Sequence, residues 1–576
     1  MNRYQPIYDI AEVCSRHGLT QAVLCPGSRC APLALAFINH PRIQARTFSD
    51  ERSAGFVALG MAQQTRTPTL LLCTSGTAVY NFAPAVAEAY FGQVPLLVFT
   101  ADRPAEWIAQ HDGQTIYQSE IFGKHVKRSF QLPQDYEHPD SVWAIQRIVN
   151  EAIALASQEP KGPVHINAPF REPLYPPAGE AITFSDTVRV TEDSDPGFLL
   201  TEELKQEIRD GLQRYNNILI VGGQHDYDEA LQSTLGKFCE THDIPVVGDI
   251  ISNLHPLART LRHADAFLGQ AGEGILKTLR PDLLITFGQS VISKNLKLYL
   301  RKHTPKAHWH IQPAGAVADP FQTVSRIIRA TPTTFFIFAS GLRRKEDFEH
   351  QKQSNYSRLW EVEERRAVRG LEGFFPQPEF AELELVHEVL RHLPDRTSLH
   401  LANSMSVRYA NYAGLAAAPG QVSVYANRGT SGIDGCTSTT VGHALSSNQP
   451  HVLITGDLAF FYDRNAFWHN YPLPNLRVVL LNNHGGIIFK MIDGPGTRPE
   501  TDPWFVTQQK LNATALCKEF GFAHLRIDNK RKVKNTLQDF FDFDGQTKIL
   551  EIESDLTLNK TIFDSLKQKI KKSYES

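Results

Sequence analysis

The chain has 576 residues, which is enough for two to four domains, and its 42% hydrophobic share is enough to fill full-sized cores. A net charge of −3 gives no global basic surface for nucleic acid. Met1 to Leu19 is polar throughout, and no apolar run approaches the length of a membrane span, so secretion and membrane insertion are not expected. The seven cysteines (14, 25, 30, 73, 239, 436, 517) form no C-x-x-C pair, which reads as reduced thiols of a cytosolic protein.

Up to about residue 175, short apolar runs alternate with amphipathic segments. Gln21–Cys25, Thr69–Cys73, Val94–Phe99 and Val164–Ile166 read as strands of a parallel sheet. Each ends in turn-forming residues, at Pro26-Gly27-Ser28-Arg29, Thr74-Ser75-Gly76-Thr77 and Thr100-Ala101-Asp102-Arg103-Pro104. Residues 173 to 198, with Pro173, Pro176, Pro177 and Pro196, read as a linker. A second α/β unit follows, with strands at Ile218–Val221, Pro245–Val247 and Leu283–Phe287. Residues 342–378 are charged and helical in pattern. The third unit has strands at Ser398–Leu401, Val422–Tyr425, 451–454, 476–481 and Lys548–Ile552. The basic cluster in Lys567–Lys572 reads as a solvated helix end.

In the third unit Gly456-Asp457 ends one apolar strand, and Asn482-Asn483 ends the next, followed by His484-Gly485-Gly486. Strand ends of an open parallel sheet are where ligands bind. A carboxylate and an amide carbonyl are hard oxygen donors suited to Mg²⁺ that also takes phosphate oxygens. Gly485 and Gly486 would let the backbone approach such phosphates. The bland alternative for Gly456-Asp457 is a turn. Glu51 opens a small-residue helix, where it is either an acid favoured by the helix dipole or a carboxyl with a catalytic role. Val221-Gly222-Gly223-Gln224 lacks the third glycine of a dinucleotide fingerprint and reads as a turn. Arg29, Arg103, Arg408 and Arg428 all fall at expected strand ends or adjoining loops, where guanidinium groups suit carboxylates.

Asp50–Gly55, Cys25–Arg29, Thr74–Ala78, Thr100–Pro104, Ala426–Gly435 and Gly456–Phe460 together resemble the 2-succinyl-5-enolpyruvyl-6-hydroxy-3-cyclohexene-1-carboxylate synthase family of menaquinone biosynthesis, within the thiamine diphosphate enzyme superfamily. The resemblance runs from about residue 20 to 490. It implies an α/β fold of three doubly wound parallel-sheet domains: pyrimidine-binding (1–178), central (198–341) and diphosphate-binding (379–576). It implies a homodimer or homotetramer with thiamine diphosphate between subunits. It also implies a transferase that decarboxylates 2-oxoglutarate and adds the resulting succinic semialdehyde carbanion to isochorismate.

By resemblance Glu51 pairs with the aminopyrimidine ring, and Gln114 and Arg29 join it as catalytic residues. Asp457, Asn483 and the Gly485 carbonyl hold Mg²⁺, with Mn²⁺ as an alternative. Ser75, Gly76, Arg428, Ser431, Gly432, Gly456, Leu458, Ala459, Gly486 and Ile488 line the cofactor, and Ile433 props its bent shape. Ser404 and Arg408 take the succinyl carboxylate, and Arg428 acts nearby on substrate. Arg29, Arg103, Gln114 and Lys294 face isochorismate, and Ile488 and Phe489 wall the site. Gly113, Asn295 and Cys30 depart from the family pattern. His111 reads as a solvated loop residue. Another thiamine diphosphate carboligase or decarboxylase, and a non-catalytic paralogue, are the competing readings. The arginine count opposes the first, and the presence of Glu51 and Asp457 opposes the second.

Overall fold

The computed structural model describes residues 3–193, 197–342, 347–375, 377–416, 418–492 and 494–574. The first sheet contains β1 (Gln21–Leu24), β2 (Gln44–Thr47), β3 (Thr69–Cys73), β4 (Leu96–Asp102), β5 (Ser129–Gln131) and β6 (Val164–Pro169), in the order β2-β1-β3-β4-β6-β5. The second contains β7 (Ile218–Gly222), β8 (Val246–Gly248), β9 (Thr260–Leu261), β10 (Leu283–Phe287), β11 (Ala307–Ile311) and β12 (Arg326–Ile328), in the order β12-β11-β10-β7-β8-β9. The third contains β13 (Thr397–Leu401), β14 (Val422–Tyr425), β15 (His451–Gly456), β16 (Leu476–Asn482), β17 (Ala523–Ile527) and β18 (Lys548–Glu553), in the order β14-β13-β15-β16-β18-β17. Neighbouring strands are parallel, as in β3 on β4 and β15 on β16.

Central strands such as Thr69-Leu-Leu-Leu-Cys73 are buried along their whole length, because helices cover both faces of the sheet. Leu70 and Leu72 enter one core while Leu71 and Cys73 enter another. That second core is shared. It also takes Leu453, Val478 and Leu480, so the first and third sheets bury one apolar layer between them. The opposite face of the third sheet, with Val452, Ile454 and Val479, joins Leu219, Val221 and Leu284 of the second. The third sheet therefore lies between the other two.

Two helices make the first of these contacts. Glu51–Thr65 is capped by Asp50, whose carboxylate accepts from the Ser53 N–H, and it ends at Arg66 in the left-handed region. It crosses Cys436–Leu445. A methyl group at Gly60 would collide with the Thr439 carbonyl, and one at Gly442 with the Val57 carbonyl. The two backbones therefore touch only because both positions are glycine.

Several elements differ from expectation. β2, β5, β9, β12 and β17 were not expected. All are edge strands, short or partly exposed, and they lack the continuous apolar run of a central strand. β11 was missed because His308 and His310 break its apolar pattern. Both bond to the Thr286 hydroxyl of β10, which satisfies them inside the sheet. β4 starts after Pro95, which has no N–H to pair, and runs through Asp102, pairing Thr100–Asp102 with Asn167–Pro169.

The stretch after residue 173 carries no helix or strand among its described residues up to 193. It is clipped to the first unit rather than free. Ser185 N donates to Asp9 at 2.9 Å and Thr191 N to Asn150 at 2.7 Å, and Val188 is buried. Pro196 lies outside the described residues, as do 343–346 and 376 of the charged stretch. The rest of that stretch forms the helix Asp347–Glu372, whose Gln353 and Tyr356 bond to the backbone of Ile218 and Leu279. The basic tail is the last turn of helix Leu556–Lys572.

Candidate active site

β15 ends at Gly456, and Asp457 opens the helix Asp457–Tyr462. The Asp457 carboxylate accepts from the Leu458 N–H at 2.8 Å and from Gln509 Nε2 at 2.7 Å. It is 2% exposed, and burial pushes its acid strength down against the effect of these bonds. Among the described residues no lysine or arginine pairs with it. β16 delivers Asn483 beside it. Asn483 Nδ2 donates to Glu382 at 2.8 Å, while its carbonyl oxygen is buried with no partner. The Gly485 N–H reaches Asp457, and the Gly485 carbonyl accepts from Ile487 N at 3.0 Å, leaving one lone pair. A buried carboxylate without a cation and an orphaned amide oxygen are the donor set of a hard divalent ion. The residues present fit one.

Glu382 was not anticipated. It is buried at the start of helix Glu382–Arg391, takes hydrogen bonds from Asn483 and Ser554, and burial pushes its carboxyl up to about 7. By binding the NH₂ of Asn483 it turns the carbonyl oxygen toward the open side. Gln509 does the same for Asp457, and it also donates to the Asn482 carbonyl at 3.1 Å. Neither position carries a sequence signal, because both belong to ordinary polar stretches.

Gly485 and Gly486 serve a packing role that differs from the expected one. A Cβ on Gly485 would press on Val506 at 2.8 Å, and Gly486 N bonds to the Val506 carbonyl. The glycines admit the segment 501–506, which closes over the strand end. Ile488 and Phe489 lie half-buried in the short helix Ile488–Met491, with Phe489 against Phe505 at 5.9 Å between centroids.

A second layer comes from the loops after β13 and β14. Asn403 Nδ2 donates to the carbonyls of Asn427 and Gly432, at 2.7 and 2.6 Å, and its Oδ1 accepts from Arg428 at 2.7 Å. Arg428 Nε is buried and unpartnered. Arg408 bonds to the Ser404 carbonyl, and its charge weakens that of Arg428. Glu88, from the first unit, accepts from Gly429 N, Thr430 N and the Thr430 hydroxyl at 2.6–2.8 Å. It fixes the loop that carries Ser431, Gly432 and Ile433. Ser404 and Ser431 in these loops, and His484 after β16, hold φ of 69°, 63° and 63°, in the left-handed region.

At the edge of the first sheet Arg29 is buried. It donates to the Phe170 carbonyl at 2.9 Å and pairs with Glu172 at 3.3 Å. Arg103 pairs with Asp112 at 2.8 Å and donates to the Gly113 carbonyl. Gln114 is exposed with φ 57°, and its Cα lies against Gly76, itself at φ 89°. Gly76 N donates to Gln118, while the Ser75 hydroxyl is buried without a partner. Glu51 is half-buried at the helix start, near the Cys25 and Cys73 thiols, which burial raises first and the Glu51 charge raises further.

The residues thus form two clusters. Among the described residues no hydrogen bond or ion pair links Glu51, Arg29 or Gln114 to Asp457, Asn483 or Arg408. Lys294 is exposed at the start of helix Lys294–Lys302, and Asp265 connects that start to Arg408 through Ser293 and Tyr412. Lys297, which sequence reasoning passed over, shares a field with Arg428 and Asp249. Of the departures, Cys30 turns its thiol back to Gly27, Gly113 faces open space, and Asn295 bonds to Asp265. His111 is exposed. A Cβ on Gly222 would meet Leu254 and one on Gly223 the Gln289 carbonyl, so both glycines serve close packing of this turn.

Three parallel-sheet units, with oxygen donors and an anion-binding loop on the third, define a thiamine diphosphate-dependent enzyme. Residues 8–121 match the family described as "Thiamine pyrophosphate enzyme, N-terminal TPP binding domain", and residues 202–401 match "Middle domain of thiamine pyrophosphate". A Cytophaga hutchinsonii protein named 2-succinyl-5-enolpyruvyl-6-hydroxy-3-cyclohexene-1-carboxylate synthase is 46% identical over 573 residues, 99% of this chain and 100% of that one. Proteins of the same name from Bacteroides thetaiotaomicron and Flavobacterium johnsoniae are 35% and 34% identical, over 98% and 94% of this chain and 99% and 95% of theirs. The chain belongs to the 2-succinyl-5-enolpyruvyl-6-hydroxy-3-cyclohexene-1-carboxylate synthase family.

Proposed function

We propose that this chain decarboxylates 2-oxoglutarate and joins the remaining four-carbon unit to isochorismate by 1,4-addition, forming 2-succinyl-5-enolpyruvyl-6-hydroxy-3-cyclohexene-1-carboxylate in menaquinone biosynthesis. The observation that carries the reading is the near-half identity, along the whole chain, to a protein named for this synthase. Thiamine diphosphate, when bound, supplies the electron sink for breaking and forming the carbon–carbon bonds.

The chain's own residues divide the remaining work. Asp457, the Asn483 carbonyl and the Gly485 carbonyl hold Mg²⁺ or Mn²⁺, with Glu382 and Gln509 orienting the first two. Gly456, Leu458, Ala459, Ser431, Gly432 and Gly486 shape the diphosphate cradle, and Ile433 and Ile488 press on the cofactor. Ser75, Gly76 and Glu51 face its pyrimidine end. Glu51 takes and returns a proton there, which a half-buried carboxyl suits. Ser404, Arg408 and Arg428 bind the distal carboxylate of 2-oxoglutarate, since guanidinium forks meet carboxylates bidentately. Arg29, Arg103, Gln114 and Lys294 bind isochorismate, with Gln114 and Arg29 closest to the new bond, and Phe489 closes the wall.

Among the described residues Glu51, Arg29 and Gln114 share no hydrogen bond or ion pair with Asp457, Asn483 or Arg408, which supports a site completed by a second copy in a homodimer or homotetramer. The pyrimidine-binding, central and diphosphate-binding domains are then 1–178, 198–341 and 379–576. The buried free cysteines support a reducing, cytoplasmic setting. Among the described residues no helix is long and apolar enough to cross a membrane.

The test is a coupled assay with thiamine diphosphate and Mg²⁺, following isochorismate absorbance and CO₂ release. Cofactor-dependent consumption of both substrates supports the reading. CO₂ release indifferent to isochorismate, or turnover only with pyruvate, would move the chain to another carboligase or decarboxylase.

A further inference from the structure

A cluster of three histidines lies beneath the third sheet's edge and takes no part in the proposed chemistry. β13 and β15 are neighbours with Ser398 opposite His451, so His400 and His451 project from the same face, one step apart. Helix Cys436–Leu445 covers that face and adds His443 from its last turn. His400, His443 and His451 are 3%, 0% and 0% exposed. His400 Nε2 lies 3.1 Å from His451 Nδ1, and one nitrogen from each of the three falls within a 4.8 Å span.

The hydrogen bonding of the trio is incomplete. Burial holds all three neutral, with His451 pushed down to about 3. A neutral imidazole has one N–H and one lone pair. His443 nevertheless sits between two amide groups, with Nδ1 3.0 Å from Gln64 Oε1 and Nε2 3.0 Å from Gln63 Oε1. A single N–H serves one of those oxygens, and the second glutamine meets the ring's lone pair only by turning its NH₂ toward it. His451 Nε2 has no partner. Unmet polar atoms this deep are costly, and buried polar clusters are usually satisfied by a bound water or ion.

We propose that His400, His443 and His451 form a structural site for a zinc-type divalent ion, which ties β13 and β15 to helix Cys436–Leu445. Three imidazole nitrogens suit zinc, and the spacing of His400 and His451 matches neighbouring ligands on a tetrahedral ion with metal–nitrogen bonds of about 2.0–2.1 Å. With one nitrogen on the ion, His443 donates its remaining N–H to a glutamine oxygen, as ligating histidines commonly do. A cavity of about 10 Å³ lined by His400, Cys436, Thr439 and Thr440 has room for one water on the His400 side of the trio. Among the described residues no carboxylate contacts the trio, so a hydroxide as fourth ligand would lower the site's charge from +2 to +1. His400 stands opposite Leu453, four residues before Asp457, which puts this site roughly 13 Å from the cofactor's cation.

The experiment measures metal on the full-length protein, as purified and after refolding with zinc or cobalt in excess Mg²⁺. About one zinc per chain is expected, together with the visible absorption of a tetrahedral cobalt site and a higher Tm than the chelator-treated protein. Asp457→Asn should keep the zinc, and His451→Gln should lose it. Zinc absent from the wild type with no cobalt absorption would overturn the proposal, as would zinc retained by His451→Gln. The wild-type measurement decides the matter even where the variant does not fold.

Discussion

The first and third sheets and the second are built from the same kinds of strands but use their edges differently. The first and third share one strand order, β2-β1-β3-β4-β6-β5 and β14-β13-β15-β16-β18-β17. Each changes direction beside its first strand, between β1 and β3 or between β13 and β15, which opens a crevice at the strand ends. In the third sheet that crevice holds Asn403, Ser404, Gly456 and Asp457. In the first it holds Arg29, Ser75 and Gly76. The second sheet reverses between β7 and β10, and there the loops close on each other. Gly223 N bonds to the Phe287 carbonyl and Gln289 N to the Gln224 carbonyl, at 2.8 and 2.9 Å. Sheet order makes the crevice available, and loop residues decide whether it stays open and what charge it carries.

The largest expected effect lies where the first and third units meet. Gly→Ala in a helix interior usually stabilises by up to about 1 kcal/mol. At Gly442 the methyl has nowhere to go but into the Val57 carbonyl. Gly442→Ala is expected to destabilise by about 3 kcal/mol, seen as a lower denaturation midpoint. A stabilised variant would show that the first and third units do not depend on this close crossing.

The next test separates the two open crevices by chemistry. Glu51→Gln should lower kcat about a hundredfold, near 2.7 kcal/mol, with Tm and thiamine diphosphate affinity little changed. Retained turnover would remove Glu51 from the proton transfer and leave the first crevice a purely binding one. Arg408→Ala should act more narrowly, raising the KM for 2-oxoglutarate about tenfold, near 1.4 kcal/mol, while cofactor affinity holds. Equal losses in both would indicate a disturbed Ser404 loop instead of a lost carboxylate contact.

The contrast among the sheets also explains what could be read from the chain. The continuous apolar runs at Thr69–Cys73 and Leu283–Phe287 named their own strands, because strands covered on both faces must be apolar throughout. Edge strands such as Ala523–Ile527 stand half in water and were invisible, while the edge strand Val422–Tyr425 was legible through its alternating pattern. Asp457 and Asn483 were legible because each directly follows a strand. Glu382, Gln509 and Glu88 were not. They act on those residues and on the Gly429–Thr430 backbone from 52 residues or more away in the chain, and only the fold brings them together. The Gly485-Gly486 pair was found for one reason and is needed for another, because the Val506 segment fills the space beside it.

Asp249 gives the smallest effect and tests whether the central unit is electrically separate from the third. It follows β8, its carboxylate accepts from Ile292 N and Ser293 N, and its charge supports those of Arg428 and Lys297 across the unit boundary. Burial, reinforced by Asp265, pushes its carboxyl from 3.8 up to about 6 against the pull of those bonds and of Lys297. Between these values the folded chain keeps a proton that the unfolded chain has released. Stability from this group is therefore full below the lower value, falls as pH rises through the window, and levels off above about 6. Asparagine in its place can accept the same two N–H bonds without titrating. The wild type should lose at least about 1 kcal/mol relative to Asp249→Asn between pH 4 and 6, within the ceiling of about 1.4 kcal/mol per unit of pH. Parallel stability curves for the two proteins would mean that Asp249 stays charged throughout. The Arg428 and Lys297 charges would then hold it in that state, and the central unit would be part of the cationic pocket instead of a neutral support for it.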